Sequence, residues 1–207
     1  MSGMVASPDR RAGGNVGVLA LQGDYAAHIA ALREAGADAF EIRSRAELDR
    51  ADRVVIPGGE STVMGSLLVR FNFLDAFRER ILAGMPVFGT CAGLILLAKD
   101  IEGRKQPGLG VMDVAVLRNA YGTQIDSFRA PLETSVPGVG RIEGVFIRAP
   151  KVTRVGARVE VLASHAGSPV LVREGNILGA TFHPELVPGA LIHQWFLGFP
   201  EEPRKVL

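Results

Sequence analysis

The chain has 207 residues, 47% of them hydrophobic, and its 23 lysines and arginines nearly balance its 22 aspartates and glutamates. This length allows one domain with a full core, and the net charge of +1 gives no electrostatic case for nucleic acid or an anionic membrane as partner. The single cysteine, Cys91, excludes an internal disulfide and a metal site built from several cysteines, and it favours a reducing, cytoplasmic location.

The two ends of the chain differ in composition from its middle. Residues 1–14 contain two arginines, an aspartate, a proline and three glycines, with no apolar segment long enough for a secretion signal. We predict a disordered leader there, with translation beginning at either Met1 or Met4. A single domain is predicted over residues 15–200, followed by a short polar tail over residues 201–207.

The first half of the chain alternates apolar runs with segments of helical spacing. Strands are predicted at three short runs: residues 16–21, 39–42 and 53–56. Four helices are predicted. Two lie at residues 24–35 and 44–50, a third follows a glycine-rich loop at residues 57–62, and a fourth lies at residues 73–83. Such alternation predicts a parallel sheet with helices on both faces and a site at the C-terminal ends of its strands.

After Lys99 the pattern changes to short β-rich runs that turns separate. Strands are predicted at residues 110–117, 124–134, 144–147, 158–162, 170–173 and 176–182, and a last helix at about residues 189–197. The predicted fold class is therefore α/β, with three layers. Its central sheet is mostly parallel and flanked by helices, and antiparallel strands from the second half extend it.

The only cysteine lies where a predicted strand turns sharply into a helix. Residues 81–98 carry no charge and approach the length of a membrane span, but their glycines and Pro86 favour a strand, a turn and a helix instead. Small residues around Cys91 permit a tight turn, and the N-terminus of the new helix favours a thiolate. This is the pattern of a nucleophile elbow. The alternative is a buried, inert cysteine, but such a residue does not require glycines on both sides.

A cysteine nucleophile needs a base, and His183 is the candidate. It follows a predicted strand, and Glu185 two residues later lies on the same face if the segment is extended. A carboxylate on one ring nitrogen fixes the tautomer and leaves the other nitrogen free to exchange a proton with sulfur. The alternative is a surface His-Pro-Glu at the end of a strand.

The remaining polar candidates have less distinctive contexts. Structural or solvated roles are predicted for the other three histidines: His28 and His193 in helices and His165 in a turn. Ser61 does not lie in a serine elbow, so we interpret it as a helix cap or a ligand contact. In the loop before it, the backbone N–H of Gly59 could stabilise an oxyanion together with that of Ala92, although paired glycines are also common in simple turns.

At this point the motifs resemble a known family. Gly-Thr-Cys-Ala-Gly-Leu at residues 89–94, with Phe-His-Pro-Glu at residues 182–185, resembles the class I (triad) glutamine amidotransferases. Further motifs narrow the resemblance to the PdxT family, the glutaminase subunits of pyridoxal phosphate synthase: residues 19–23, 57–62, 118–119 with 126–128, and 145–150.

The resemblance implies hydrolysis of L-glutamine to L-glutamate and ammonia, without a cofactor or a metal. Ammonia would pass to a synthase subunit of the PdxS type, in a hetero-oligomeric complex that makes pyridoxal 5'-phosphate. Family members use residues matching Cys91, His183 and Glu185 as the triad. The residues matching the glutamine-holding set are Gly59, Glu60, Ser61, Arg118, Ile147 and Arg148, and the one matching Gln22 lies near the oxyanion loop and the partner interface.

Two positions depart from the family pattern, and two other functions stay open. Leu117 stands where an acidic residue is common, and Thr123 where a basic one is common. The elbow could instead serve an amidotransferase with another acceptor or a different cysteine hydrolase. The chain could also be a non-catalytic regulatory module that retains the scaffold, but the complete triad argues against that.

Overall fold

A computed structural model describes residues 14–103, 105–118 and 127–199. In chain order its strands are β1 Asn15–Leu19, β2 Asp38–Ile42, β3 Arg53–Ile56, β4 Val87–Thr90, β5 Ala98–Glu102, β6 Met112–Leu117, β7 Phe128–Glu133, β8 Arg141–Phe146, β9 Lys151–Val155, β10 Glu160–His165, β11 Ser168–Glu174 and β12 Ile177–Ala180. Its α-helices are α1 Tyr25–Glu34, α2 Arg45–Arg50, α3 Ser61–Arg70, α4 Leu74–Leu82, α5 Ala92–Leu97 and α6 Leu191–Leu197. A 3₁₀ turn spans Pro184–Leu186.

Local sequence signals explain where the first helices begin. The Asp24 side chain accepts a hydrogen bond from the backbone N–H of Ala27 and so caps α1. At α2, Ser44 and Glu47 form a reciprocal capping box, in which each side chain binds the other residue's backbone N–H. None of the helices in the described ranges has the length and hydropathy that a membrane crossing requires.

Seven strands form the central sheet in the order β10-β11-β12-β4-β3-β1-β2. The five strands from β12 to β2 run parallel, while β11 and β10 continue the sheet in antiparallel fashion. The predicted α/β class, with a mostly parallel sheet and added antiparallel strands, is confirmed. In this order, β3, β4 and β12 lie side by side, so their C-terminal ends meet at one edge of the sheet.

Both faces of the sheet are buried, which gives the molecule three layers. Alternate side chains along β3 and β4 enter different cores: Val54 and Val87 join one cluster, and Val55 and Phe88 join the other. The first core contains apolar residues of α2, α3, α4 and α5, and the second contains those of α1 and α6. Burial on both sides explains why the central strands β3, β4 and β12 are almost entirely apolar, whereas the edge strand β2 includes Asp38 and Glu41.

Several predictions for the second half of the chain are wrong. Strands β5 and β9 were not predicted, and they pair with β6 in a separate three-stranded sheet; β7 and β8 form a two-stranded sheet. The antiparallel strands therefore do not all extend the central sheet. Strands β5 and β9 are mostly exposed and charged, so they carry no clear alternation of apolar residues. His165 ends β10 instead of lying in a turn.

Some of the predictions concern parts of the chain outside the described residues. These are the leader up to residue 13, the start of the strand predicted at residues 124–134, the motif residues Asn119 and Asp126, the departure at Thr123, and the tail. Leu117, the other departure from the family pattern, ends β6.

Candidate active site

The elbow around Cys91 has the geometry that its sequence predicts. Cys91 directly follows β4 and caps α5, with a φ of 47° that is rare for a residue with a side chain. Its backbone N–H donates to the carbonyl of Ala180 at 2.8 Å, which ties the turn to the neighbouring strand. A Cβ on Gly93 would lie 2.1 Å from the backbone oxygen of Ile56, so only glycine fits there. The glycine allows α5 to pack directly against β3.

His183 and Glu185 lie at the end of the adjacent strand and contact each other. The ring Nδ1 of His183 is 2.7 Å from Oε1 of Glu185, and the Glu185 side chain is fully buried. The pair forms through the 3₁₀ turn Pro184–Leu186, which corrects the expectation of an extended segment. The backbone N–H of His183 also donates to the carbonyl of Val145 at 2.8 Å, which holds the segment in place.

The histidine interacts with the cysteine as well as with the carboxylate. Burial alone would lower the pKa of His183, but hydrogen bonds and charge interactions with Cys91 and Glu185 outweigh burial and raise the pKa to about 10. Burial would raise the pKa of Glu185, but contacts with His28 and His183 hold this pKa well below its usual range. At neutral pH the site therefore contains an imidazolium next to an ionised carboxylate.

One cavity of about 220 Å³ connects these groups with the predicted glutamine-holding residues. Its lining includes eight residues that the sequence analysis singled out: Gly59, Glu60, Ser61, Cys91, Arg118, Ile147, Arg148 and His183. Asp24, Ile95 and Leu186 also line it without having been predicted for the site. The volume is below the roughly 300–1,000 Å³ of drug-sized ligand sites, so the cavity suits one small metabolite.

Paired charges also line the cavity. Nη2 of Arg118 is 2.9 Å from Oε1 of Glu60, and its Nη1 is 2.8 Å from Oε1 of Gln106. Hydrogen bonds from Thr62, helped by the charges of Arg118 and Arg148, keep the pKa of Glu60 below its usual value although partial burial opposes this. Gln106 was not predicted, because a single glutamine in a loop carries no pattern.

The glycine loop after β3 lies between the cavity and Gln22. Oε1 of Gln22 accepts a hydrogen bond from the backbone N–H of Glu60 at 2.8 Å, and the Gly58 carbonyl accepts one from Asp24. A Cβ on Gly58 would lie 2.4 Å from Cε1 of His183, and one on Gly59 would lie 2.5 Å from Oε1 of Gln22. Both glycines are therefore required by close approach. Gln22 supports the loop from behind.

Two histidines that sequence analysis assigned to structural or solvated roles lie behind the triad. His28 and His193 are fully buried, and Nε2 of His28 is 3.3 Å from Oε2 of Glu185. The spacing of His28 and Leu32 on one face of α1 could have predicted its burial, but not the contact with Glu185. His165 lies elsewhere, against the rings of Phe128 and Phe146. Within the described residues, no group of three or more His, Cys, Asp or Glu side chains could hold a metal ion.

The chain is similar to known proteins over most of its length. Residues 18–201 match the SNO glutamine amidotransferase family. The chain is 51% identical over 185 residues to the pyridoxal 5'-phosphate synthase subunit PdxT of Mycobacteroides abscessus, covering 88% of this chain and 95% of that relative. The subunit of the same name from Carboxydothermus hydrogenoformans is 47% identical over 182 residues, with coverage of 88% and 95%. A crystal structure of a glutamine amidotransferase superposes with a TM-score of 0.85 at 47% identity, covering 89% of this chain and 97% of that one.

Proposed function

The chain belongs to the SNO glutamine amidotransferase family, and from this premise we propose that it is the glutaminase subunit of a pyridoxal 5'-phosphate synthase. It hydrolyses L-glutamine to L-glutamate and ammonia, and the ammonia goes to a synthase subunit of the PdxS type. The observation that carries the proposal is the single cavity that Cys91 and His183 share with Glu60 and Arg118.

The first half of the reaction forms a thioester at Cys91. The thiolate attacks the side-chain carbonyl carbon of glutamine, and the carbonyl oxygen takes the negative charge. Backbone N–H groups of Gly59 and Ala92 stabilise this oxyanion. When the tetrahedral intermediate collapses, the carbon–nitrogen bond breaks and the imidazolium of His183 donates its proton to the departing nitrogen, so that ammonia leaves.

The second half releases glutamate and restores the enzyme. His183, now neutral, takes a proton from water while the water oxygen attacks the thioester carbon. Collapse of this second intermediate breaks the carbon–sulfur bond, so Cys91 leaves as a thiolate beside the imidazolium. Throughout the cycle Glu185 accepts a hydrogen bond from Nδ1 of His183, which fixes the tautomer and stabilises the charged ring.

The charged end of the cavity matches the backbone of a free amino acid. Glutamine carries an ammonium and a carboxylate on one carbon atom, and Glu60 and Arg118 lie 2.9 Å apart with opposite charges. We assign the ammonium to Glu60 and the carboxylate to Arg118, with Arg148 as a second cation on the same cavity. Ser61, Gly59 and Ile147 complete the binding surface.

Arg118→Gln should raise the KM for glutamine by about 10–100-fold, which is the cost of a lost charged hydrogen bond. The kcat should stay within the same order of magnitude, because we assign this side chain to the substrate carboxylate and not to the reacting amide. Arg118→Lys is the matched variant that keeps the charge and loses the planar guanidinium. Its KM for glutamine should lie between that of the wild type and that of Arg118→Gln. Steady-state kinetics with the synthase subunit present measures both constants. An unchanged KM in Arg118→Gln would remove this residue from the binding site.

Incubation with glutamine labelled with ¹⁵N at the amide tests the proposed function. With the synthase subunit and its sugar phosphate substrates, we expect equal amounts of glutamate and transferred nitrogen, and ¹⁵N in pyridoxal 5'-phosphate by mass spectrometry. Hydrolysis without any transfer to this product would favour an amidotransferase with another acceptor. Absence of hydrolysis, both alone and with the synthase subunit, would favour a regulatory module.

A further inference from the structure

Three buried side chains contact one another, and one of them reaches the carboxylate oxygen of Glu185 that does not bind His183. They come from three separate elements: His28 from α1, Thr90 from the end of β4 and His193 from α6. Nε2 of His28 is 3.0 Å from Oγ1 of Thr90 and 3.3 Å from Oε2 of Glu185, and its Nδ1 is 3.0 Å from Nε2 of His193. All three side chains are fully buried.

We propose that His28 is a positioning residue of the triad, which holds Glu185 in the orientation that binds His183. The inference rests on the proposed function, because it assigns His28 a part in the same reaction. Oε1 of Glu185 binds the His183 ring, but one contact leaves the carboxylate free to rotate about its last bond. The 3.3 Å contact of His28 with Oε2 opposes that rotation, and among the described residues Oε2 makes no hydrogen bond.

The hydrogen-bonding capacities of the three groups fix the direction of donation. An ionised carboxylate only accepts, so the contact with Glu185 favours a proton on Nε2 of His28, which also lies 3.0 Å from Oγ1 of Thr90. Burial, together with the charge interaction with His28, lowers the pKa of His193 to about 3, so this ring is neutral.

Nδ1 of His28 and Nε2 of His193 lie 3.0 Å apart, so a hydrogen bond joins the two buried rings. His193 thus orients His28, and His28 orients Glu185.

The titratable groups around this arrangement come from several elements. His183 is faced by Cys91 and Glu185, and Glu185 is faced by His28 and His183. The other charged residues on the cavity are Asp24, Glu60, Arg118 and Arg148. Because Glu185 contacts Nδ1 of His183, loosening Glu185 should destabilise the imidazolium and change its titration.

Two amide substitutions with different reach test the proposal. A glutamine at position 28 can place an amide N–H near the position of Nε2, whereas an asparagine reaches only the position of Nδ1. In the complex with the synthase subunit, we expect His28→Asn to lower kcat by about 10–100-fold and leave the KM for glutamine within about twofold. In the pH profile of kcat/KM, the midpoint of the fall at high pH should lie roughly one pH unit lower in His28→Asn than in the wild type. His28→Gln should stay within about threefold of the wild type, with this midpoint unmoved.

A merely structural role predicts a different result. It would lower the fraction of active protein in both variants without moving this midpoint, so equal behaviour of the two variants would overturn the proposal. Should His28→Asn fail to fold by circular dichroism, His193→Leu gives the same test, because it removes the hydrogen-bond partner that orients His28. An unmoved midpoint in that variant would also overturn the proposal. Loss of turnover in Cys91→Ala separates these outcomes from failure of the proposed function.

Discussion

Cys91→Ala should abolish glutamine hydrolysis, with a fall in kcat of at least about 10⁴-fold. The sulfur forms the bond to the substrate carbon, and the cavity holds no other nucleophile at the elbow. Ser61 is another hydroxyl in the lining, but it donates to Oε1 of Gln106 at 3.2 Å, and no histidine of the described residues is its partner. Ammonia release, measured with the synthase subunit present, gives the rate.

A second substitution and a label make this test specific for the thiol. Cys91→Ser is nearly isosteric, but a hydroxyl is far less acidic than a thiol, so it should also be inactive. A glutamine analogue with an electrophilic side chain should label the wild-type protein once, at Cys91, and should label neither variant. Melting curves and binding to the synthase subunit should be unchanged in both. Turnover by Cys91→Ala near the wild-type rate would falsify the assignment of the nucleophile.

The sequence predicted the parts of the fold that depend on local patterns. In three places the residue types themselves favour one local conformation. These are the apolar run of β3, the helix cap at Ser44 and the turn at Cys91. Parallel strands also bring their C-terminal ends together, which is why Cys91 and His183 could be expected to meet despite their separation in the chain.

The features that sequence analysis missed depend on tertiary contacts. Strand β5 has the pattern of an exposed, charged segment and is a strand only because β6 pairs with it. Gln106 contacts Arg118 and Ser61 from a loop that has no recognisable sequence pattern. His28 was placed on a helix, but its contact with Glu185 depends on how α1 packs on the turn after β12. None of these contacts leaves a period or a motif in the sequence.

His183→Gln should lower kcat by about 10³–10⁴-fold. The variant has no acid to protonate the departing ammonia and no base to activate water, and it also removes the cation that stabilises the Cys91 thiolate. Binding of glutamine should change little, because the charged end of the cavity is untouched. His165→Gln is the matched control. The His165 ring packs at a tilt against Phe128 and Phe146 and has no described contact with the triad, so turnover by this variant should stay within about twofold of the wild type.

The same substitution should change how stability depends on pH. The pKa of His183 is raised to about 10 in the folded protein, against about 6.5 in an unfolded chain. Because the folded state then holds the extra proton, the stability that this group contributes is complete below about pH 6.5 and is lost as the pH rises to about 10. Urea unfolding at pH 6, 8 and 10 should therefore show the wild type losing stability relative to His183→Gln. A constant difference across this range would mean that the imidazolium does not belong to the folded site, and the proton transfer to ammonia would need another donor.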